Sequence, residues 1–126
     1  MVFVVDTDVL IDHLRDVRAA TELLARVGAG GDRVVASVLS KAELITGTRR
    51  DEWRRVMHLF DRIDWGPVSE GLAEDAGMLA AQFRKSHPGV DLTDYVIAAT
   101  AIRLDADLLT RNTKHFPMFP GLEAPY

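Results

Sequence analysis

Val2-Phe3-Val4-Val5-Asp6, continued without a break by Thr7-Asp8-Val9-Leu10-Ile11-Asp12, is the stretch on which the fold turns. Four apolar residues in a row read as a strand buried on both faces, as parallel strands are. Asp6 sits where that strand leaves the sheet, and open α/β sheets place ligands just outside the carboxyl ends of their strands. An acid held there by rigid backbone can bind a cation. Two further acids, Glu43 and Asp94, stand beside apolar runs far along the chain. Separated carboxylates in a chain without cysteine or a triad-like nucleophile point to a hard-metal site, for Mg²⁺ or Mn²⁺.

The 126 residues are expected to form a single domain, 1–126, burying on the order of two-thirds of the unfolded surface. No apolar run approaches the roughly 20 residues of a membrane span. No basic segment of the signal-peptide kind precedes the first strand. A cytoplasmic protein with no membrane association is therefore expected. The absence of cysteine removes disulfides, thiolate nucleophiles and Cys-zinc sites together.

A net charge of −4 argues against binding nucleic acid by bulk electrostatics. The cations are nevertheless uneven in kind, twelve Arg against three Lys. Arg49, Arg50, Arg54 and Arg55 crowd one short stretch, and Arg111, Lys114 and His115 form a second basic group. Arg suits bidentate phosphate contact better than Lys. The plain reading is a solvated helix face. The functional reading is an acidic site flanked by basic patches that grip a phosphodiester.

Along the chain, the first strand is Val2–Val5, followed by helices over Val9–Arg15 and Arg18–Val27, the latter stopped by Gly28-Ala29-Gly30-Gly31. Arg33–Val38 reads as a second buried strand. Ser40, with Glu43 three residues on, has capping-box spacing for a helix over Lys41–Thr48. Asp51 caps a helix through Ile63, and residues 64–68 form a break with a short edge strand. Ser69–Lys85 is the clearest amphipathic helix. Thr93 or Asp91 caps a helix over Asp94–Leu104, Ala106–Thr110 is a strand, and the proline-containing tail is irregular. Alternating strands and helices imply an α/β fold, three-layer α/β/α with a central parallel sheet.

Each acid also has a structural explanation. Asp6 can be a helix N-cap, Asp8 and Asp12 are first-turn acids favoured by the helix dipole, Glu43 fits the capping box, and Asp94 begins an apolar helix. In combination they do more, because a parallel sheet can bring these element ends to one edge. Asp6-Thr7-Asp8-Val9-Leu10-Ile11-Asp12, Ser37-Val38-Leu39-Ser40-Lys41-Ala42-Glu43-Leu44, Asp94-Tyr95-Val96-Ile97-Ala98-Ala99-Thr100-Ala101 and Leu109-Thr110-Arg111-Asn112-Thr113-Lys114-His115-Phe116 resemble, in order, the four motifs of PIN-domain ribonucleases. The resemblance is strongest to VapC-type toxins of type II toxin–antitoxin pairs, and it spans residues 2–116.

The resemblance implies a Mg²⁺-dependent endoribonuclease that hydrolyses RNA phosphodiesters and inhibits translation and growth. Asp6, Glu43 and Asp94 would be catalytic and metal-binding. Asn112 stands where many PIN domains have a fourth acid, and Asp91 could partly replace that charge. Thr7, Ser37 and Thr110 would fix carboxylate orientation. Arg49, Arg50, Arg54, Arg55 and Arg111 would contact RNA. The implied partners are RNA, a cognate antitoxin covering the site, and a second copy of the chain in a homodimer. Repulsion among converging carboxylates predicts metal dependence and inhibition by an inserted cation such as Arg. Two alternatives are a catalytically impaired PIN-like module that binds RNA or a partner, and a haloacid-dehalogenase-like phosphatase using Asp6 and Asp8.

Overall fold

A computed structural model describes residues 1–126 of the chain. Four strands, β1 (Val2–Val5), β2 (Arg33–Ser37), β3 (Asp64–Gly66) and β4 (Asp107–Leu109), form one sheet in the order β3-β2-β1-β4, every pair parallel. Six helices cover it: α1 (Thr7–Leu14), α2 (Arg18–Ala29), α3 (Val38–Thr46), α4 (Trp53–Asp61), α5 (Glu70–Phe83) and α6 (Leu92–Arg103). The expected three-layer α/β/α class is what forms.

The layers follow from the two-residue period of strand side chains. Val4 lies opposite Val35 and Leu108 in register, and all three face Ile97, Ala98 and Ala101 of α6. Val5 and Ala36 point the other way, into Val9, Leu10, Leu23, Val27 and Phe60 of α1, α2 and α4. Helix α6 is buried over eight consecutive residues, Asp94–Ala101. It is enclosed by the sheet on one side and by Leu72 and Ala76 of α5 on the other. A helix buried all round need not be amphipathic, and its alanines let the sheet approach closely.

Several boundaries differ from those expected. Helix α1 begins at Thr7, directly after Asp6, rather than at Val9. Helix α3 begins at Val38 and is capped by Ser37, whose Oγ accepts from the Leu39 N–H at 3.2 Å. Ser40 is therefore not a cap; it is fully buried. Asp51 sits in a 3-10 turn, Arg50–Glu52, ahead of α4. The cap of α6 is Asp91, not Thr93, so that helix starts at Leu92. Phe60 and Phe116 are core residues, 5% and 1% exposed, whereas Met1, Ile45, Trp53, Met57, Val68, Met78, Leu92 and Ile102 are exposed large apolar groups. No helix is long and apolar enough to cross a membrane.

Candidate active site

The order β3-β2-β1-β4 means the chain leaves β1 toward β2 and later returns to pair β4 on the opposite flank. The carboxyl ends of β1 and β4 are thus a topological switch point, where α/β sheets open a crevice. Asp6 stands in it. Its N–H bonds Leu109 O across the strands at 2.9 Å. Its Oδ1 accepts from the Thr7 N–H at 2.8 Å, capping α1, and its Oδ2 accepts from Thr110 Oγ1 at 2.7 Å. Burial, and secondly the Asp8 charge, push the Asp6 carboxyl up to about 7, against the opposing pull of the Thr110 and Thr7 hydrogen bonds.

Asp94 faces it from the first turn of α6. Its N–H donates to Asp91 Oδ1 at 3.0 Å, and its Oδ2 lies 3.0 Å from His115 Nδ1. Burial and then the Asp91 charge raise its pKa to about 6, with its bonds to Asp91 and His115 working the other way. Glu43, exposed on α3, joins the group through Thr7, whose Oγ1 is 3.0 Å from Glu43 Oε1 and 2.8 Å from Ser40 Oγ. Asp6, Thr7, Asp8, Ile11, Glu43, Asp91, Thr93, Asp94, Asn112 and His115 line one cleft of about 230 Å³.

The structure therefore gathers Asp6, Glu43, Asp91, Asp94 and Asn112 in one place. Thr7 and Thr110 touch the carboxylates, as expected of orienting hydroxyls. Ser37 does not; its hydroxyl is used in the α3 cap. Ser40 takes that place, contacting Thr7 from within the core. As they stand the carboxylates line the cleft without three of them meeting at one coordination point.

Two residues that sequence reasoning leaves outside the site belong to it. Asp8 Oδ2 accepts from the Arg111 N–H at 3.0 Å, while its Oδ1 is buried with no partner. A buried, unpartnered carboxylate oxygen is costly, and burial accordingly raises the Asp8 pKa. Its spacing two residues after Asp6 is the available signal, outweighed by the reading as a dipole-favoured first-turn acid. His115, between Asp94 Oδ2 and Asn112 Nδ2 (3.0 and 2.8 Å from its Nδ1), is the other. Nothing in its short basic run distinguishes it until the 3-10 turn Thr113–His115 folds back.

The Arg residues divide. Arg55 binds His13 O (3.2 Å), Leu14 O (2.9 Å) and Asp16 (2.6 and 3.3 Å), closing the end of α1. Its guanidinium is thus engaged by the end of α1 rather than free. Arg49 turns toward Glu52, whereas Arg50 and Arg54 stand exposed. The guanidinium of Arg111 lies beside Asp12 and over the Tyr126 ring.

The chain matches the PIN domain family over residues 3–119. It is 47% identical over 122 residues to Ribonuclease VapC19 of Mycobacterium tuberculosis, covering 97% of this chain and 98% of that one. To Ribonuclease VapC10 of the same organism it is 44% identical, covering 97% and 91%. A solved toxin–antitoxin complex from Klebsiella pneumoniae contains a chain that superposes with a TM-score of 0.81 at 27% identity, over 98% of this chain and 97% of that one. The PIN match leaves the dehalogenase-like alternative without support.

Proposed function

We propose, from the premise that this chain belongs to the PIN-domain family and to its VapC-type branch, that it is an endoribonuclease toxin whose partners are RNA, a cognate antitoxin and a second copy of itself. The observation that carries the catalytic reading is the cleft itself. Acids from β1, α1, α3 and α6 are brought together there, with Asp6 and Asp94 raised in pKa and Asp8 Oδ1 left buried and unpartnered.

This donor set suits a hard divalent cation, because it is built from carboxylate oxygens with no thiolate. Asp6 and Asp94 would hold Mg²⁺ or Mn²⁺, with Asp8, which lines the same cleft, a further carboxylate nearby. Bound there, the ion supplies Lewis-acid polarisation of the scissile phosphate and a bound water of lowered pKa. Glu43, exposed and oriented by Thr7, positions the attacking water and accepts its proton. Thr110 and the Thr7 N–H hold the Asp6 carboxylate in place before any ligand arrives. Asn112 carries no charge; its amide and Asp94 Oδ2 converge on the same His115 nitrogen, which holds Asp94 Oδ2 when that nitrogen carries the proton.

Purified protein incubated with total RNA is expected to cleave it in Mg²⁺, to stop in EDTA and to resume when Mg²⁺ is restored. Asp94→Asn is expected to abolish cleavage while retaining the wild-type circular dichroism spectrum. Cleavage that persists in chelator, or in the Asp94→Asn variant, overturns the assignment. Arrest of translation and growth is the cellular outcome of the same activity, read as loss of colony formation on induction of the wild type but not of Asp94→Asn.

A further inference from the structure

The tail of the chain returns to the rim of the cleft. Tyr126 packs against the cluster formed by α1, α2 and α4, and its hydroxyl donates to Asp12 Oδ2 at 2.8 Å. Burial, and then that Asp12 hydrogen bond, push the Tyr126 phenol well above its ordinary value, so it keeps the proton it donates. The Arg111 guanidinium sits over the same ring, 5.0 Å from its centroid, and 3.9 Å from the same Asp12 oxygen. That separation is too long for a hydrogen bond.

Arg111 is thus held by a ring face and a nearby charge while its five donors remain uncommitted. Its side chain is about half exposed. Its backbone is fixed to the site, since the Arg111 N–H binds Asp8 and the preceding residue, Thr110, binds Asp6. Asp12 is one helical turn beyond Asp8 on α1, so the guanidinium stands at the edge of a cleft crowded with carboxylates that repel a polyanion. A free guanidinium beside such a cleft is suited to draw in a phosphate bidentately.

We propose that Arg111 grips a backbone phosphate of the RNA next to the cleft, and that Tyr126 is the positioning residue that keeps Arg111 available. By donating to Asp12 Oδ2, the phenol competes with the guanidinium for that oxygen, which stands 3.9 Å from Arg111 Nη1. Without it, Asp12 captures Arg111, and the guanidinium no longer reaches the phosphate. The inference rests on the ribonuclease reading above and adds to it the device that keeps Arg111 available.

The test measures affinity for a labelled single-stranded oligoribonucleotide of mixed sequence across a salt series, in the cleavage-silent Asp94→Asn background. Arg111→Gln is expected to weaken binding about tenfold, the scale of one charge-assisted hydrogen-bonded pair. It should reduce the log–log salt slope by about 0.7, the value for one phosphate on a single strand. Tyr126→Phe should reduce the slope similarly although the ring remains, and adding Asp12→Asn should restore slope and affinity by releasing Arg111. In the cleaving enzyme Tyr126→Phe should raise KM with little change in kcat, whereas a general loosening of the fold would lower kcat and the melting temperature together. Unchanged slopes in Arg111→Gln or Tyr126→Phe, or no recovery with Asp12→Asn, overturn the proposal while leaving the ribonuclease reading intact. A wild-type protein that neither binds nor cleaves RNA overturns both.

Discussion

Asp6 concentrates the physics of the site in one side chain. It is 6% exposed, accepts two hydrogen bonds, and still has a pKa near 7, because desolvation and the Asp8 charge outweigh those bonds. In the unfolded chain the same carboxyl titrates near 3.8. Between those values the folded protein binds more protons than the unfolded one, so stability falls as pH rises from about 4 to about 7 and levels off above. Asp94 adds a change of the same sign over a window ending near 6. The lowered pKa of His13 acts in the opposite sense, but the two carboxyls outweigh it, so metal-free protein is expected to melt higher at pH 5 than at pH 7.5. Asp6→Asn should reduce that difference, raise the melting temperature at pH 7.5 by several degrees and abolish cleavage. A melting profile unaffected by the substitution would show that Asp6 is not held against its charge. Asp6 is legible from its position after four apolar residues. Its partner Thr110, 104 positions away, is legible only through the family resemblance, since no local pattern links the two.

At the scale of elements, the buried strands and the amphipathic α5 follow from apolar periodicity, and the Asp91 cap of α6 is one of two candidates the sequence offers. What the sequence conceals is competition between neighbouring capping residues. Ser37 and Ser40 both precede apolar helical residues, and the Ser40-to-Glu43 spacing looks like the better cap. The strand runs straight into the helix, so Ser37 caps α3 and Ser40 turns inward to Thr7. A similar conflict hides the role of Arg55. Its position among Arg49, Arg50 and Arg54 suggests phosphate binding, but α1 ends near a non-glycine residue of positive φ, Asp16 at 62°. The exposed carbonyls there need a donor. Arg55→Ala is expected to lower the melting temperature by about 4 °C, for a loss of order 1 kcal/mol, without changing the salt dependence of RNA binding. Neutralising Arg50 and Arg54 together should flatten that dependence by about 0.7 for each phosphate no longer neutralised. Equal slopes for both variants would remove the whole cluster from the RNA-binding surface.

For the molecule as a whole, a cluster of acids built into a rigid sheet edge makes the fold a poor host for its own charge. A cation that binds only the folded state offsets the repulsion and stabilises the protein by mass action, by about 2.7 kcal/mol at a hundred times its dissociation constant. Mg²⁺ or Mn²⁺ is therefore expected to raise the melting temperature in a concentration-dependent manner at neutral pH, with Mn²⁺ effective at lower concentration. The rise should vanish in an Asp6→Asn/Asp94→Asn double variant. A rise of equal size in that variant would place the ion elsewhere on the surface.

The hydrogen bond from Thr110 to Asp6 has one more consequence, which concerns time. Asp6 and Thr110 are 104 positions apart, so β1 is made well before β4. Until that stretch has emerged and docked beside β1, Asp6 lacks its orienting hydroxyl, and the contacts of His115 Nδ1 with Asn112 and Asp94 do not exist. A nascent chain from which β4 has not yet emerged thus carries its carboxylates unassembled. Because the decisive hydrogen bond joins distant parts of the polypeptide, it forms only once the long loop between them has been closed.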